Sequence, residues 1–367
     1  MKIKIENRII GEDYPCFIIS EVGINHNGDI NIAKKMIDVS VESGCDAVKL
    51  QTFKTEEMYP KSAGKLDWND NKGEYSYDIF ENVKKFEYPL EWINELKEYC
   101  KNKGIIFFSS VCDEKSVDLL YKKGIKLLKT TSYAITHLPL IEYIAKKGVP
   151  IIISTGGSTL EEIKEAYETA KKFNNQIIIL HCVIKYPTPL ENVNMNVIGT
   201  LKKEFPEAVI GYSDHTENPV KAPIAAIVKG AKVIEKHLTL DKKMKGPDHF
   251  FALEPEELKK MVSAIRETEK KMKKGEKVDI DKMILGSEKK ETQDIERYLR
   301  EFAYRTIFTK KEIKKDELFT KDNLAILRCG KRKKGLDPKE WFNIIDKKRA
   351  NKDLEIEHTI TKDDFYQ

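Results

Sequence analysis

The chain has 367 residues, more than one small domain uses and enough for a barrel with a small appendage, so two domains are expected. Hydrophobic residues make up 40% and charged residues 34%, and no apolar run approaches the roughly 18–20 residues that span a bilayer, which argues against a membrane protein. The net charge of +5, from 65 basic and 60 acidic residues, is too small an excess to mark a nucleic-acid binder.

The first residues, MKIKIENRIIGEDYP, lack the uninterrupted apolar segment of a secretory signal, so the chain is expected in the cytoplasm. Its six cysteines, Cys16, Cys45, Cys100, Cys112, Cys182 and Cys329, form no CxxC pair and read as reduced core residues. In chain order, β-rich apolar runs fall at 17–23, 47–53, 105–111, 127–133, 150–156, 177–183, 209–215 and 233–239. Helix-period segments lie between them, for example INIAKKMIDVSVESG at 30–44 and LEEIKEAYETAKKF at 160–173. Residues 54–89, rich in Asp, Asn, Tyr and Lys, fill the longest gap and read as an active-site loop. Eight strands alternating with helices predict an α/β protein, a (β/α)8 TIM barrel; a doubly wound open sheet is the rival.

Each run is apolar early and polar late. Glu21 ends the first, Lys49 and Gln51 the second, Ser109 and Ser110 the third, and Lys129 and Ser132 the fourth. Ser154 and Thr155 end the fifth, His181 the sixth, Ser213, Asp214 and His215 the seventh, and Glu235 and His237 the eighth. Barrel enzymes place reacting groups at these strand ends, so one shared pocket is predicted. Lys49 and Lys129 sit in buried strands, where an unpaired ammonium is costly. Either they form ion pairs with Glu21 or Glu235, or they meet the phosphate or carboxylate of a substrate, to which neighbouring serine hydroxyls would add donors. His215 and His237, on adjacent strands, can reach one metal ion and leave its other positions to water or substrate. Asp248, just after the eighth strand, either holds such a water or is a turn residue. No Walker loop or nucleophile elbow is present.

The segments FIISEVGINHNGD, AVKLQTF, IIISTGG, LHCVIKYPTP, IGYSDHT and EKHLT followed by GPDH resemble the sialic acid synthase family, in its usual order. RTIFTKKEIKKDELFTKDNL is similar to the antifreeze-like (SAF) domain of those synthases. The resemblance implies a barrel at 1–275, a charged linker at 276–300 and a SAF domain at 301–367. It implies condensation of phosphoenolpyruvate with an N-acyl hexosamine such as N-acetylmannosamine, dependent on a divalent metal, Mn²⁺ first, with Mg²⁺ or Co²⁺ open. By motif, His215 and His237 match the metal ligands. Lys49, Lys129, Ser110, Ser132, Ser154 and Ser213 match the phosphoenolpyruvate contacts. Glu21 matches the acid beside the reacting carbons, while Tyr186 and Asp248 match sugar or water contacts and Gln51 a substrate contact. Arg328 aligns with an arginine that reaches a partner subunit's barrel, which implies a domain-swapped homodimer.

Two departures from the family pattern stand out, the first bearing on how the Arg328 loop lies and the second on substrate choice. Cys329 and the basic run KRKK follow Arg328 where proline is usual, and Ala134 stands where many members carry a glutamate. A legionaminate or pseudaminate synthase is therefore a further expectation. The run KRKK itself reads as a solvated loop, His26 as a loop or substrate-proximal residue, and His137, His249 and His358 as structural. The rivals are Kdo-phosphate- or DAHP-type synthases, a metal-dependent hydrolase, and a non-catalytic sugar-binding protein.

Overall fold

The computed structural model describes residues 1–70 and 73–366. After an N-terminal hairpin of Lys2–Ile5 and Arg8–Gly11, eight strands alternate with eight main helices. The strands are β1 (Phe17–Gly23), β2 (Ala47–Thr52), β3 (Ile106–Val111), β4 (Leu128–Thr130), β5 (Ile151–Ser154), β6 (Ile177–Cys182), β7 (Val209–Asp214) and β8 (Val233–His237). The helices are α1 (Ile30–Glu42), α2 (Trp92–Lys103), α3 (Glu114–Lys122), α4 (Leu138–Ala145), α5 (Leu160–Lys171), α6 (Asn196–Glu204), α7 (Lys221–Val228) and α8 (Pro255–Lys273). All strands pair in parallel and β8 closes on β1, so the sheet is a closed barrel and the doubly wound alternative is excluded. Most strand residues are buried on both faces, as a barrel wrapped in helices requires.

Local sequence explains where the elements begin. Asp29 caps α1 by accepting from the Asn31 amide at 2.7 Å, and Thr159 with Glu162 forms a capping box on α5. The predicted strands were slightly long: β4 stops at Thr130, and Ser132 to Ala134 already turn as a 3-10 helix.

Residues 54–89, expected as a loop, carry regular structure. A 3-10 turn at Thr55–Glu57 leads to an antiparallel hairpin of Lys65–Asp70 with Gly73–Asp78 and a short helix, Ile79–Lys84; residues 71 and 72 lie outside the described residues. Glu87 ties the start of this segment to its end, accepting from the Thr55 amide at 2.7 Å and pairing with Lys54 at 2.9 Å.

The C-terminal domain is built on a short antiparallel pair, β9 (Arg305–Thr309) and β10 (Leu324–Arg328), around its own core of Ile307, Phe319, Leu324 and Leu354. This small β unit is consistent with the expected SAF domain. The stretch expected as a charged linker packs closely on the barrel. Ile284 is buried, and Glu296, 0% exposed, accepts from the amides of Gly157 at 2.7 Å and Ile184 at 2.9 Å. The C-terminal domain then rests on the β2–α2 segment through amide bonds from Arg328 to Met58 and from Lys331 to Ala63, both 2.8 Å. Among the described residues no helix is long and apolar enough to cross a membrane, and all six cysteines are free and buried.

Candidate active site

The C-terminal ends of the strands surround a cavity of about 220 Å³. Most of the residues singled out from the sequence line it, namely Glu21, Lys49, Gln51, Ser110, Lys129 and Ser132, then Ser154, Tyr186, Ser213, His215, Glu235, His237, Asp248 and Arg328, whereas the strand-end residues Ser109, Thr155, His181 and Asp214 do not. Parallel pairing brings them together, because Glu21 lies opposite Lys49, Gln51 opposite Ser110, and Ser110 opposite Lys129.

The floor is an alternating charge cluster. Lys49 Nζ is 2.6 Å from Glu21 and 3.9 Å from Glu235, and Lys129 Nζ is 3.3 Å from Glu235; all four are at most 4% exposed as residues. The ion-pair reading of the two lysines is therefore realised, and both lysines also face the cavity. Burial acts to raise both carboxyl pKa values. For Glu21 burial prevails over Lys49 and its carboxyl is raised; for Glu235 the fields of Lys129 and Lys49 prevail and its carboxyl is held down. Burial pulls Lys129 below the ordinary lysine range, while Glu21 and Glu235 outweigh burial and hold Lys49 above it. Gln51 donates to Glu21 at 2.9 Å and Ser213 to Glu235 at 3.1 Å, fixing both carboxylates.

One wall holds the two histidines, ring centroids 5.5 Å apart, packed against Tyr186 and Phe251. Burial lowers His215 to about 4 and takes His237 well below its ordinary value, so both imidazoles are neutral at pH 7. His215 Nδ1 donates to the Val183 carbonyl at 2.9 Å, which leaves the Nε2 lone pair free. His237 Nδ1 is buried without a hydrogen-bond partner and lies 3.8 Å from Asp248 Oδ2. Burial, then Glu21, raises the Asp248 carboxyl to about 7. Among the described residues no three His, Cys, Asp or Glu side chains form a metal cluster. Two neutral imidazoles with an acid beside them nevertheless fit an ion that keeps open positions. Behind this wall, Asp214 and Lys236 form a cross-strand pair at 2.7 Å, both at most 1% exposed, immediately before the two histidines in sequence.

Ser132 accepts from the Gly156 amide at 2.9 Å, whereas the buried Ser154 hydroxyl has no partner. Arg328 stacks over Tyr133 at 4.8 Å and donates to the Tyr59 hydroxyl at 3.4 Å. Within this chain it lines the same cavity as the barrel residues. The Cys329 amide donates to the Tyr304 carbonyl at 3.2 Å, a bond the usual proline would lack. Ala134 packs in the apolar core and does not line the cavity. Sequence reasoning missed Ile24, Thr131, Tyr133 and Cys182 as lining residues, while Glu235, read as a polar strand end and ion-pair partner, lines the cavity as well. His26, buried against Tyr88 and Trp92, and His249, bonded to Thr239, lie outside the lining, as do His137 and His358.

A barrel mouth that joins buried lysines, a two-histidine wall and acids gathers the groups of an enzyme-type site around one cavity. The NeuB family model matches residues 36–277. The spore coat polysaccharide biosynthesis protein SpsE of Bacillus subtilis is 46% identical over 363 residues, covering 99% of this chain and 96% of that protein. Its crystal structure superimposes with a TM-score of 0.90 at 45% identity, over 100% of this chain and 99% of that one. The N,N'-diacetyllegionaminic acid synthase of Legionella pneumophila is 37% identical over 340 residues, 91% of this chain and 90% of that one. The chain belongs to the NeuB family, as an enzyme of the nonulosonic acid synthase type.

Proposed function

We propose that the protein condenses phosphoenolpyruvate with the open-chain aldehyde of an N-acyl hexosamine of the N-acetylmannosamine kind, giving a nonulosonic acid and phosphate. One observation carries this reading. The cavity that holds Lys49 and Lys129 also contains buried polar atoms with no partner, Ser154 Oγ, Glu235 Oε2 and His237 Nδ1, which a bound anion, water and metal would satisfy.

In this reading Lys49, Lys129 and the hydroxyls of Ser110, Ser132, Ser154 and Ser213 hold the phosphate and carboxylate of phosphoenolpyruvate. The C3 carbon bonds to the aldehyde carbon, and the carbonyl π pair becomes a hydroxyl after taking a proton. Positive charge then develops at C2, next to Glu21. Water adds there, and the tetrahedral adduct loses phosphate by carbon–oxygen cleavage to leave the ketone. A divalent ion, Mn²⁺ by expectation, held by His215 and His237, would draw electron density from the aldehyde oxygen. Asp248, with its raised pKa, and Tyr186 orient sugar or water, while Gln51 and Arg328 contact substrate.

A second reading concerns the sugar. The side chain at 134 does not line the cavity, whereas Tyr133, Tyr186 and Ile24 do and offer apolar surface that an acyl group could meet. This favours a sugar with a second acylamino group, the kind behind a legionaminate-type product. Purified protein is incubated with phosphoenolpyruvate, Mn²⁺ and a panel of N-acyl and di-N-acyl hexosamines, with and without chelator. Phosphate release and product mass are measured. Chelator-sensitive product from one sugar is expected; neither phosphate nor product from any of them returns the weight to a non-catalytic sugar binder.

A further inference from the structure

Arg305 is the largest fully buried side chain, 1% exposed, and among the described residues no carboxylate stands within ion-pair distance of it. Its Nη1 donates to two carbonyls, Ile326 at 2.8 Å and Glu57 at 3.3 Å, while its Nε is buried without a partner. The nearby acid, Asp113, is committed to α3, where its two oxygens accept from the Ser116 amide and hydroxyl at 2.7 Å each. A buried guanidinium without a counter-ion is costly unless an anion completes it.

Arg305 lines a second cavity, of about 180 Å³, in the cleft between the barrel and the C-terminal domain. It shares no lining residue with the active-site cavity. The N-caps of α3 and α4, Asp113 and His137, form one wall together with Glu114. The other lysines there differ in their commitments. Lys115 pairs with Glu57 and Lys321 with Glu114, but among the described residues Lys310 reaches only the Lys321 carbonyl, at 3.4 Å. Trp341 supplies an apolar face.

We propose that this cleft is a second anion site, which takes a small phosphorylated molecule whose phosphoryl oxygens meet Arg305 and Lys310 and whose carbon part lies against Trp341. A guanidinium fork matches phosphoryl oxygens, and the volume admits a phosphate with a few carbons. Occupancy also bears on catalysis. Arg305 lies directly opposite Arg328 in the β9–β10 register, so an anion there offsets the repulsion between the two cations and steadies the arginine that lines the active site. That consequence rests on the proposed reaction; the binding itself does not.

Crystals of the full-length protein soaked in tungstate, a phosphate mimic located by its anomalous signal, are expected to show a peak between Arg305 and Lys310. In solution, inorganic phosphate titrated calorimetrically into the full-length protein is expected to fill two sites, the active-site cavity and this cleft, of which one weakens at least tenfold in Lys310→Ala and in Arg305→Met while the other is kept. Lys310 is exposed, so its variant reports even where Arg305→Met fails to fold. Tungstate confined to the active-site cavity overturns the proposal. So does a peak at Arg305 with phosphate binding unchanged in Lys310→Ala, which marks binding at crystal concentration only.

Discussion

Two lysines and two glutamates share the floor of the barrel mouth, and removing any one strands a neighbour. In Lys129→Ala, Glu235 keeps Ser213 at 3.1 Å and a distant Lys49 at 3.9 Å. If Lys129 stabilises charge on phosphoenolpyruvate, kcat/KM falls by ~10²-fold or more, the scale of other preorganised electrostatic groups. Steady-state kinetics check it, and a variant that keeps most of its activity sinks the assignment. Lys129 was legible in the sequence because a polar residue late in an apolar barrel strand has a geometric address: it faces the mouth. Cys182 carried no such signal, since a buried cysteine at a strand end reads as core until the Ser132 hydroxyl is found 3.6 Å from its sulfur. Nor did the sequence show that Ala134 turns away, because that follows from the 3-10 turn ending β4 early.

At the scale of elements, the adjoining ends of β7 and β8 are locked by Asp214 and Lys236, which also bonds the Thr216 hydroxyl and carbonyl. This pair points away from the cavity, behind the strand ends that present His215 and His237. Lys236→Met leaves Asp214 buried with only hydroxyl and amide donors, from Tyr212 and Thr216, and is expected to cost ~3–5 kcal/mol. Urea denaturation of the metal-free protein measures this, and Mn²⁺ titration is expected to show weaker binding because the two imidazoles lose their fixed separation. The double variant Asp214→Asn with Lys236→Met should recover part of the stability. An unchanged urea midpoint together with unchanged Mn²⁺ affinity in Lys236→Met contradicts the locking role. The eight strands were legible from apolar runs, but the course of 276–300 was not. Composition marks that stretch as charged and so as solvated, yet it cannot show that the Glu296 carboxylate finds two backbone amides on the barrel.

For the whole molecule, buried neutral histidines set the acid limit. Burial lowers His26 to about 4 and His181 to about 3, and takes His137 well below its ordinary value. The unfolded chain, with imidazoles near ~6.5, therefore binds more protons than the folded one as pH falls. Their contribution is complete above that pH and is lost on descending toward the folded values, each adding a slope of up to ~1.4 kcal/mol per pH unit. Denaturation midpoints at pH 7 and 5 are expected to reveal it, with a shallower decline in His137→Asn, which keeps a capping side chain on α4. A second whole-molecule property is the seat of Arg328. The C-terminal domain rests on the barrel of the same chain, so Arg328 and Lys129 line one cavity. Arg328→Ala and Lys129→Ala, each of low activity, are unfolded together, refolded as a mixture and assayed. With both residues acting in the same chain, every site keeps one defect and the mixture stays as inactive as its parts. In a domain-swapped homodimer, half the sites of each mixed dimer would regain both residues, and activity would return to about a quarter of the unmutated level. Recovery of that size would restore the exchange that the family resemblance implied and move Arg328 to the partner's cavity.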